Sequence, residues 1–273
     1  LHRILDYIIL EFMRNSREAG LIPLGAAVAA LCAAPAFAQR NLAAKPAPKA
    51  AAGTADKVLY DVWYTVTVNK TQHYEYYNER AELRKGKLFV SNHAWKQEED
   101  FQNEEELGEY AEPGDEVRPL FYNFHSNYRS TELTIDGTVE NGHILAIRVR
   151  KGSSEQPIVK KQIASGTIFS ESFPAWLGFR LTTLSQASWT QFLAIDESNT
   201  DLQFRTLQGR VKLDAPDDYA IRYKTVKITL DYDGLKSSWW VDKRGVPEKM
   251  EYPATGTLIT RVTKDKAQKF FGE

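Results

Sequence analysis

The sequence predicts a mainly β fold: a curved antiparallel sheet, a half-barrel or open barrel, with a short apolar helix packed on its concave face. Three observations predict it. Apolar residues beyond position 57 recur with period two, the pattern of a pleated strand with one buried face. Glycine-containing turn signals divide those runs at short intervals. One segment, Phe173 to Leu181, breaks the alternation and reads as a helix.

The opening strand is the clearest. From Lys57 to Asn69, Val58, Tyr60, Val62, Tyr64, Val66 and Val68 share one face, and β-branched and aromatic residues dominate. A second strand covers Tyr74–Leu83, and Lys85-Gly86-Lys87 turns into a third at Leu88–His93. Further strands are expected at Tyr128–Ile135, Ile144–Arg150, Ile158–Ile163, Leu202–Leu213, Tyr219–Asp231, Leu235–Asp242 and Thr257–Val262. The expected turns are Asp136-Gly137, Asn141-Gly142, Asp233-Gly234, Lys243-Arg244-Gly245 and Thr255-Gly256. Apolar parity switches inside 219–231, which predicts a β-bulge near Lys224-Thr225. The helix has Ser172 as its cap candidate and Pro174 in its first turn. Residues 98–116 hold ten acidic side chains and no basic one, with Pro113-Gly114 inside, which predicts a long loop or an exposed helix.

The N-terminal region carries the order of an export signal. Arg14 and Arg17 follow Met13, Leu21 to Leu31 form an apolar run, and Ala36-Phe37-Ala38 is a cleavage pattern that would leave Gln39 first. On this reading residues 1–12 are an over-extended start, 13–38 a signal peptide, 39–56 an Ala/Pro/Lys linker and 57–273 a single β-rich domain. The expected location is the bacterial periplasm or outside the cell, with no membrane span after cleavage. Cys32, the only cysteine, falls in the signal, so the mature chain has neither disulfides nor thiolate chemistry.

A net charge of −1 argues against nucleic acid as a partner. Among the mature histidines, His73, His93, His125 and His143, no pair has HxH or HExxH spacing, so no metal site or cofactor is predicted, although distant residues can converge. Glu98, Glu99, Asp100, Glu104, Glu105 and Glu106 offer oxygens for calcium without EF-hand spacing, and a solvated surface is the simpler account. No nucleophile elbow or Walker loop is present, and no catalytic residue is assigned. The aromatics stand out instead. Phe173, Trp176, Phe179, Trp189, Trp239 and Trp240 are the candidate ligand-binding residues. Ordinary core packing is the competing account, and adjacent Trp239 and Trp240 must point to opposite sides of their strand.

Three stretches, LYDVWYTVTVN (59–69), SFPAWLGFRLTTL (172–184) and SSWWVDKRGVPEKMEYP with ITRVTKDKAQ (237–253 and 259–268), resemble the periplasmic DUF3108-type proteins. Those are similar in turn to the LolA/LolB-like lipoprotein-carrier architecture. The closing hairpin has the Trp-x-x-Asp-x-x-Gly form, and related hairpins occur in accessory domains beside secreted transglutaminase-like enzymes. The resemblance implies an antiparallel sheet curved around a helix and supplies neither an activity nor a functional residue. The expectation is a noncatalytic envelope protein binding an apolar or lipid-like molecule. The alternatives are an envelope scaffold that binds another protein through a sheet edge or the acidic segment, and a hydrolase with an unrecognised site.

Overall fold

The computed structural model describes residues 56–69, 72–97, 102–128, 131–141, 144–151, 154–155, 159–197 and 204–272. The expected signal peptide, the expected cleavage site and nearly all of the expected linker lie outside the described residues, as do Glu98, Glu99, Asp100 and His143.

Strands β1 (Lys57–Val68), β2 (Gln72–Arg84), β3 (Lys87–Gln97), β4 (Gln102–Glu112), β5 (Arg118–Tyr128), β6 (Thr131–Glu140) and β7 (Ile144–Lys151) form an antiparallel meander. The short β8 (Ser154–Glu155) and β9 (Val159–Gln162) both pair with β7 at its margin. The chain then enters β10 (Thr167–Phe169), helix α1 (Phe173–Arg180) and a single 3₁₀ turn. A second meander follows: β11 (Thr190–Ile195), β12 (Thr206–Leu213), helix α2 (Asp218–Tyr223), β13 (Val226–Tyr232), β14 (Leu235–Val241), β15 (Pro247–Tyr252) and β16 (Thr257–Val262). Helix α3 (Lys264–Gln268) and a 3₁₀ turn, Phe270–Gly272, follow β16. Pairing of β16 with β1 fuses the two meanders into one open sheet, in the order β10 to β16 and then β1 to β8. The β10–β11 pair is parallel; the rest are antiparallel.

The inner face carries Tyr60, Val62, Tyr64 and Val66 from β1, Val90 and Ala94 from β3, and Ile228, Leu230, Trp239 and Met250 from the second meander. Val58 departs from the predicted face. A bulge between Val58 and Tyr60 resets the pleat, and Val58 is exposed. Near β10 the curl is sealed by a core of Leu107, Tyr122, Phe124 and Ile135 against Ile163, Phe169, Ile195 and Phe204.

Several local expectations change. The acidic segment is neither a loop nor a helix. Residues 102–112 are β4, internal to the sheet between β3 and β5. Alternation resolves the repulsion: Glu105 and Glu109 turn inward, whereas Glu104 and Glu106 turn outward. The parity switch after Tyr219 marks the end of α2 rather than a bulge, with Lys224 in the left-handed region at φ 55° before β13 begins. Asp136-Gly137 lies within β6, where the Tyr122 ring covers Gly137 so closely that a Cβ would fall 2.0 Å from it. Ser172 does not cap α1 with its side chain.

Helix α1 packs on the inner face. Phe173 meets Trp239 edge-on at 5.4 Å and Phe192 at 4.7 Å. Its far end is held by a glycine-to-glycine approach. A Cβ on Gly178 would sit 2.2 Å from Arg244 O, and one on Gly245 would sit 2.5 Å from Gly178 N. Gly245 also has φ +81°, in a turn where Asp242 accepts from the Arg244 and Val246 N–H groups. The Trp-x-x-Asp-x-x-Gly pattern is thus a docking seat: Trp239 packs on the helix, Asp242 shapes the turn, and Gly245 clears the helix backbone. Gly178→Ala is expected to destabilise the fold by about 2 kcal/mol through overpacking, read from urea unfolding midpoints. A variant indistinguishable from wild type would mean that the contact carries no such constraint.

Candidate functional site

The predicted aromatic set divides by location. Phe173, Trp176 and Trp239 come together on the inner face with Phe192 and are buried. Phe179 is exposed at the end of α1, 39% accessible. Trp240 points to the opposite side of β14, as adjacent strand residues must. There its indole donates to Asp217 Oδ1 at 3.0 Å, Lys249 Nζ lies 3.9 Å from the ring centre, and Tyr219 of α2 covers its edge. Asp217 also caps α2 by accepting from Ala220 N at 2.9 Å. Desolvation works against its ionised form, but the Ala220 N–H, the Trp240 indole and Lys227 outweigh it and hold the carboxyl down at about 2. Trp189 lies elsewhere, beneath Arg210 with the guanidinium carbon 4.6 Å from the ring centre and Lys212 Nζ at 5.2 Å.

Arg210 leads to a groove. Its cross-strand neighbour is Asp231, and Nε and Nη2 both donate to Asp231 Oδ2, at 3.1 and 2.8 Å. The two residues line a cavity of about 780 Å³ together with Gln191, Phe192, Leu193 and Gln208. A smaller cavity of about 310 Å³, lined by Glu116, Arg118 and Asn141, shares Ser165 and Gly166 with it. Of the predicted set, Trp189 approaches the groove through Arg210. Phe192 belongs both to the inner aromatic cluster and to the groove lining. Its β-strand was not signalled by the sequence, because TQFLAI is too short and too weakly alternating.

A second polar centre is buried at the start of α1. Glu197 accepts from Ser170 N at 2.9 Å, Glu171 N at 3.0 Å and Ser170 Oγ at 3.1 Å. Glu109, from β4, accepts from Ser172 Oγ at 2.6 Å through Oε2. Among the described residues its other oxygen, Oε1, has no hydrogen-bond partner, and the Glu197 carboxyl is near enough for its charge to bear on Glu109. Two buried carboxyl groups that feel one another disfavour ionisation of both at once. Burial raises the Glu197 carboxyl as well, but the two backbone N–H groups it accepts from favour its ionised form over that of Glu109. Burial, reinforced by the Glu197 charge, pushes the Glu109 carboxyl well above its ordinary range. Around the pair, Asn92 Nδ2 donates to Glu171 at 3.0 Å, and among the described residues the buried hydroxyls of Tyr122 and Tyr232 have no hydrogen-bond partner. Burial raises both phenols, and Glu197 is the charge that bears on each most strongly. This centre had no signal in the sequence: its members come from three separate segments with no motif spacing.

On the outer face, His93, Glu104 and Glu106 converge although no sequence motif links them. His73 instead places Nδ1 2.7 Å from Phe270 O, with its ring stacked on Phe270.

No protein-family model matches the chain, and no curated protein matches it. A solved structure of a DUF1089 family protein from Pseudomonas aeruginosa is similar at 12% identity and a TM-score of 0.41, over 67% of this chain and 90% of that one. At that level the likeness assigns neither family nor activity.

The raised Glu109 carboxyl sets a pH dependence. A carboxyl whose folded pKa is raised adds stability below its unfolded value, and that stability is lost as pH rises through the folded value. Wild-type stability should therefore decline as pH climbs from the ordinary glutamate value of 4.5 into the raised range. Glu109→Gln carries no titrating proton at this position, so its melting temperature should fall less over the same interval. Parallel pH profiles for the two proteins would rule out the raised Glu109 carboxyl.

Proposed function

We propose that this chain is a noncatalytic protein of the bacterial envelope that holds a small lipid-like, amphipathic molecule in the groove beside Arg210. The observation that carries the reading is the groove itself. About 780 Å³ is within the range of small-molecule sites, and its lining combines Gln191, Gln208 and the Arg210–Asp231 pair with Leu193 and Phe192. Such a mixture suits a ligand with a polar head and an apolar portion. The Arg210 guanidinium, paired to one Asp231 oxygen, retains donors to offer a head group. Trp189 supplies an aromatic surface under Arg210 and Lys212.

The inner aromatics have a different part in this reading. Phe173, Trp176 and Trp239 are packed against one another and act as the wall behind Phe192 rather than as ligand contacts. The export pattern of residues 13–38 supports an envelope location, and the three stretches that resemble DUF3108-type proteins belong to the same proposal. Among the described residues no helix is long and apolar enough to cross a membrane.

Native mass spectrometry of the protein purified from the periplasm tests the proposal. The expected result is a co-purifying lipid-like mass, lost in Arg210→Glu and reduced about tenfold in occupancy in Trp189→Ala, an effect the size of one lost cation–π or aromatic contact. A protein that carries no such mass, or carries it equally in Arg210→Glu, would refute it.

A further inference from the structure

His93 leaves β3 on the outer face of the sheet, and Glu106 is its direct cross-strand partner on β4. Glu104, two residues along β4, shares that face and lies in diagonal reach. His93 Nε2 stands 2.6 Å from Glu104 Oε1 and 3.5 Å from Glu106 Oε1, and one ligand atom from each of the three lies within 4.8 Å of the others. An ion bound at about 2.0–2.2 Å from nitrogen and oxygen spaces its neighbouring ligands by about 3–3.5 Å. The Glu106 distance already has that value, and the Glu104 contact needs to open by less than an ångström.

Three features distinguish this group from an ordinary acidic surface. The first is charge balance. Inward Glu105 is matched by Lys96 at 2.9 Å, whereas among the described residues no Lys or Arg pairs with Glu104 or Glu106. The second is orientation. The His93 ring lies 3.9 Å from Trp95, which is itself stacked on Tyr76 at 4.9 Å and on Trp63 at 6.0 Å. A ligand ring held in this way binds without first losing rotational freedom. The third is a further imidazole. On the other flank of Glu106, its cross-strand partner on β5 is His125.

We propose that His93, Glu104 and Glu106 form a divalent transition-metal site, zinc foremost, with His125 placed to approach it from β5. The nitrogen donors decide the class of ion. Imidazole favours zinc and its neighbours over magnesium and calcium, which take oxygen shells. The ligands are partly exposed, at 32%, 48% and 58% of their side-chain surface, so the ion would keep open positions toward solvent. The site is on the outer face of the first meander and does not depend on the groove reading.

Calorimetric titration of the metal-stripped full chain with Zn(II), followed by Co(II) absorption spectroscopy, tests it. One equivalent should bind, and the Co(II) spectrum should carry the signature of nitrogen ligation. His93→Ala should weaken binding by about 100-fold, and Trp95→Leu by about tenfold, the effect expected for an orienting neighbour. Glu106→His should tighten it, a gain that misfolding cannot mimic. Glu105→Gln, on the other face, should leave affinity unchanged. Absent Zn(II) binding, binding unaltered in His93→Ala, or Ca(II) competing as strongly as Zn(II) would each overturn the proposal.

Discussion

Four residues, Ile163 to Gly166, connect β9 at one margin of the sheet to β10 at the other. A fully extended chain covers at most about 3.5 Å per residue, so this connection spans no more than about 17 Å. A flat sheet with this strand order would hold its margins many strand spacings apart. The sheet must therefore curl until the margins nearly meet, and the rest of the structure answers to that demand. Tyr122 of β5 meets Phe169 of β10 across the approach, and Ile163, in the connection itself, is part of the core that seals it. Two of the tightest packing contacts serve the same curl. The rings of Tyr122 and Phe192 lie directly over Gly137 and Gly209 on the neighbouring strands, where any side chain would push them away. Helix α1 then follows β10 into the hollow, and its N-terminal approach, Ser170 to Ser172, is fastened to β4 by way of Glu109.

That fastening is one of several by which the chain tolerates carboxyl groups in its interior. A buried carboxylate without a partner costs several kcal/mol, and a chain with this many cannot leave them unmatched. The inner face matches several of them in different ways. Tyr60 donates to Glu79 at 2.7 Å, Lys96 meets Glu105 at 2.9 Å, Asn92 donates to Glu171, and Glu109 favours its neutral form beside Glu197. The last solution differs in kind. The others are matched by donors alone, whereas the Glu109–Glu197 pair has Ser172 and Ser170 as donors and still leaves the Glu109 carboxyl raised, so the contact between β4 and the turn into α1 depends on pH.

Much of the architecture was legible because period-two burial is local. Val62, Tyr64, Val66 and Val68 announce an inner face with no knowledge of what covers it, and the glycine turns at Gly86, Gly234, Gly245 and Gly256 all have positive φ in the structure. The same reasoning failed at β4, because a run of glutamates was weighed by net charge instead of by face. Leu107 and Ala111 kept the strand period beneath the charges. It failed again at Asp136-Gly137, where glycine served a neighbour's aromatic ring rather than a turn. Helix α2 overlaps an expected strand; Asp217 marks its start, as its cap and as a partner for Trp240. Of the aromatic set, Trp239 and Trp240 were correctly expected on opposite sides of their strand. Which aromatics would meet was not legible, since Phe173 comes from α1, ahead of the second meander, and Trp239 from β14 within it.

The polar sites were the least legible part, for one physical reason. Strand sequences encode which face a side chain takes, but not which strand lies beside it. His93 and Glu106 are thirteen positions apart and become neighbours only through the β3–β4 register, just as Arg210 meets Asp231 through β12–β13 and Glu109 reaches Glu197 through the curl. Motif spacing of the kind found on helices cannot report such pairs, because a meander brings together residues whose separation depends on turn length. Turn length is set in turn by where the inner face must begin again after each reversal. The alternation that buries this protein's core thus also decides which polar residues face one another on its outside, and a functional surface on such a sheet is read from register before it is read from sequence.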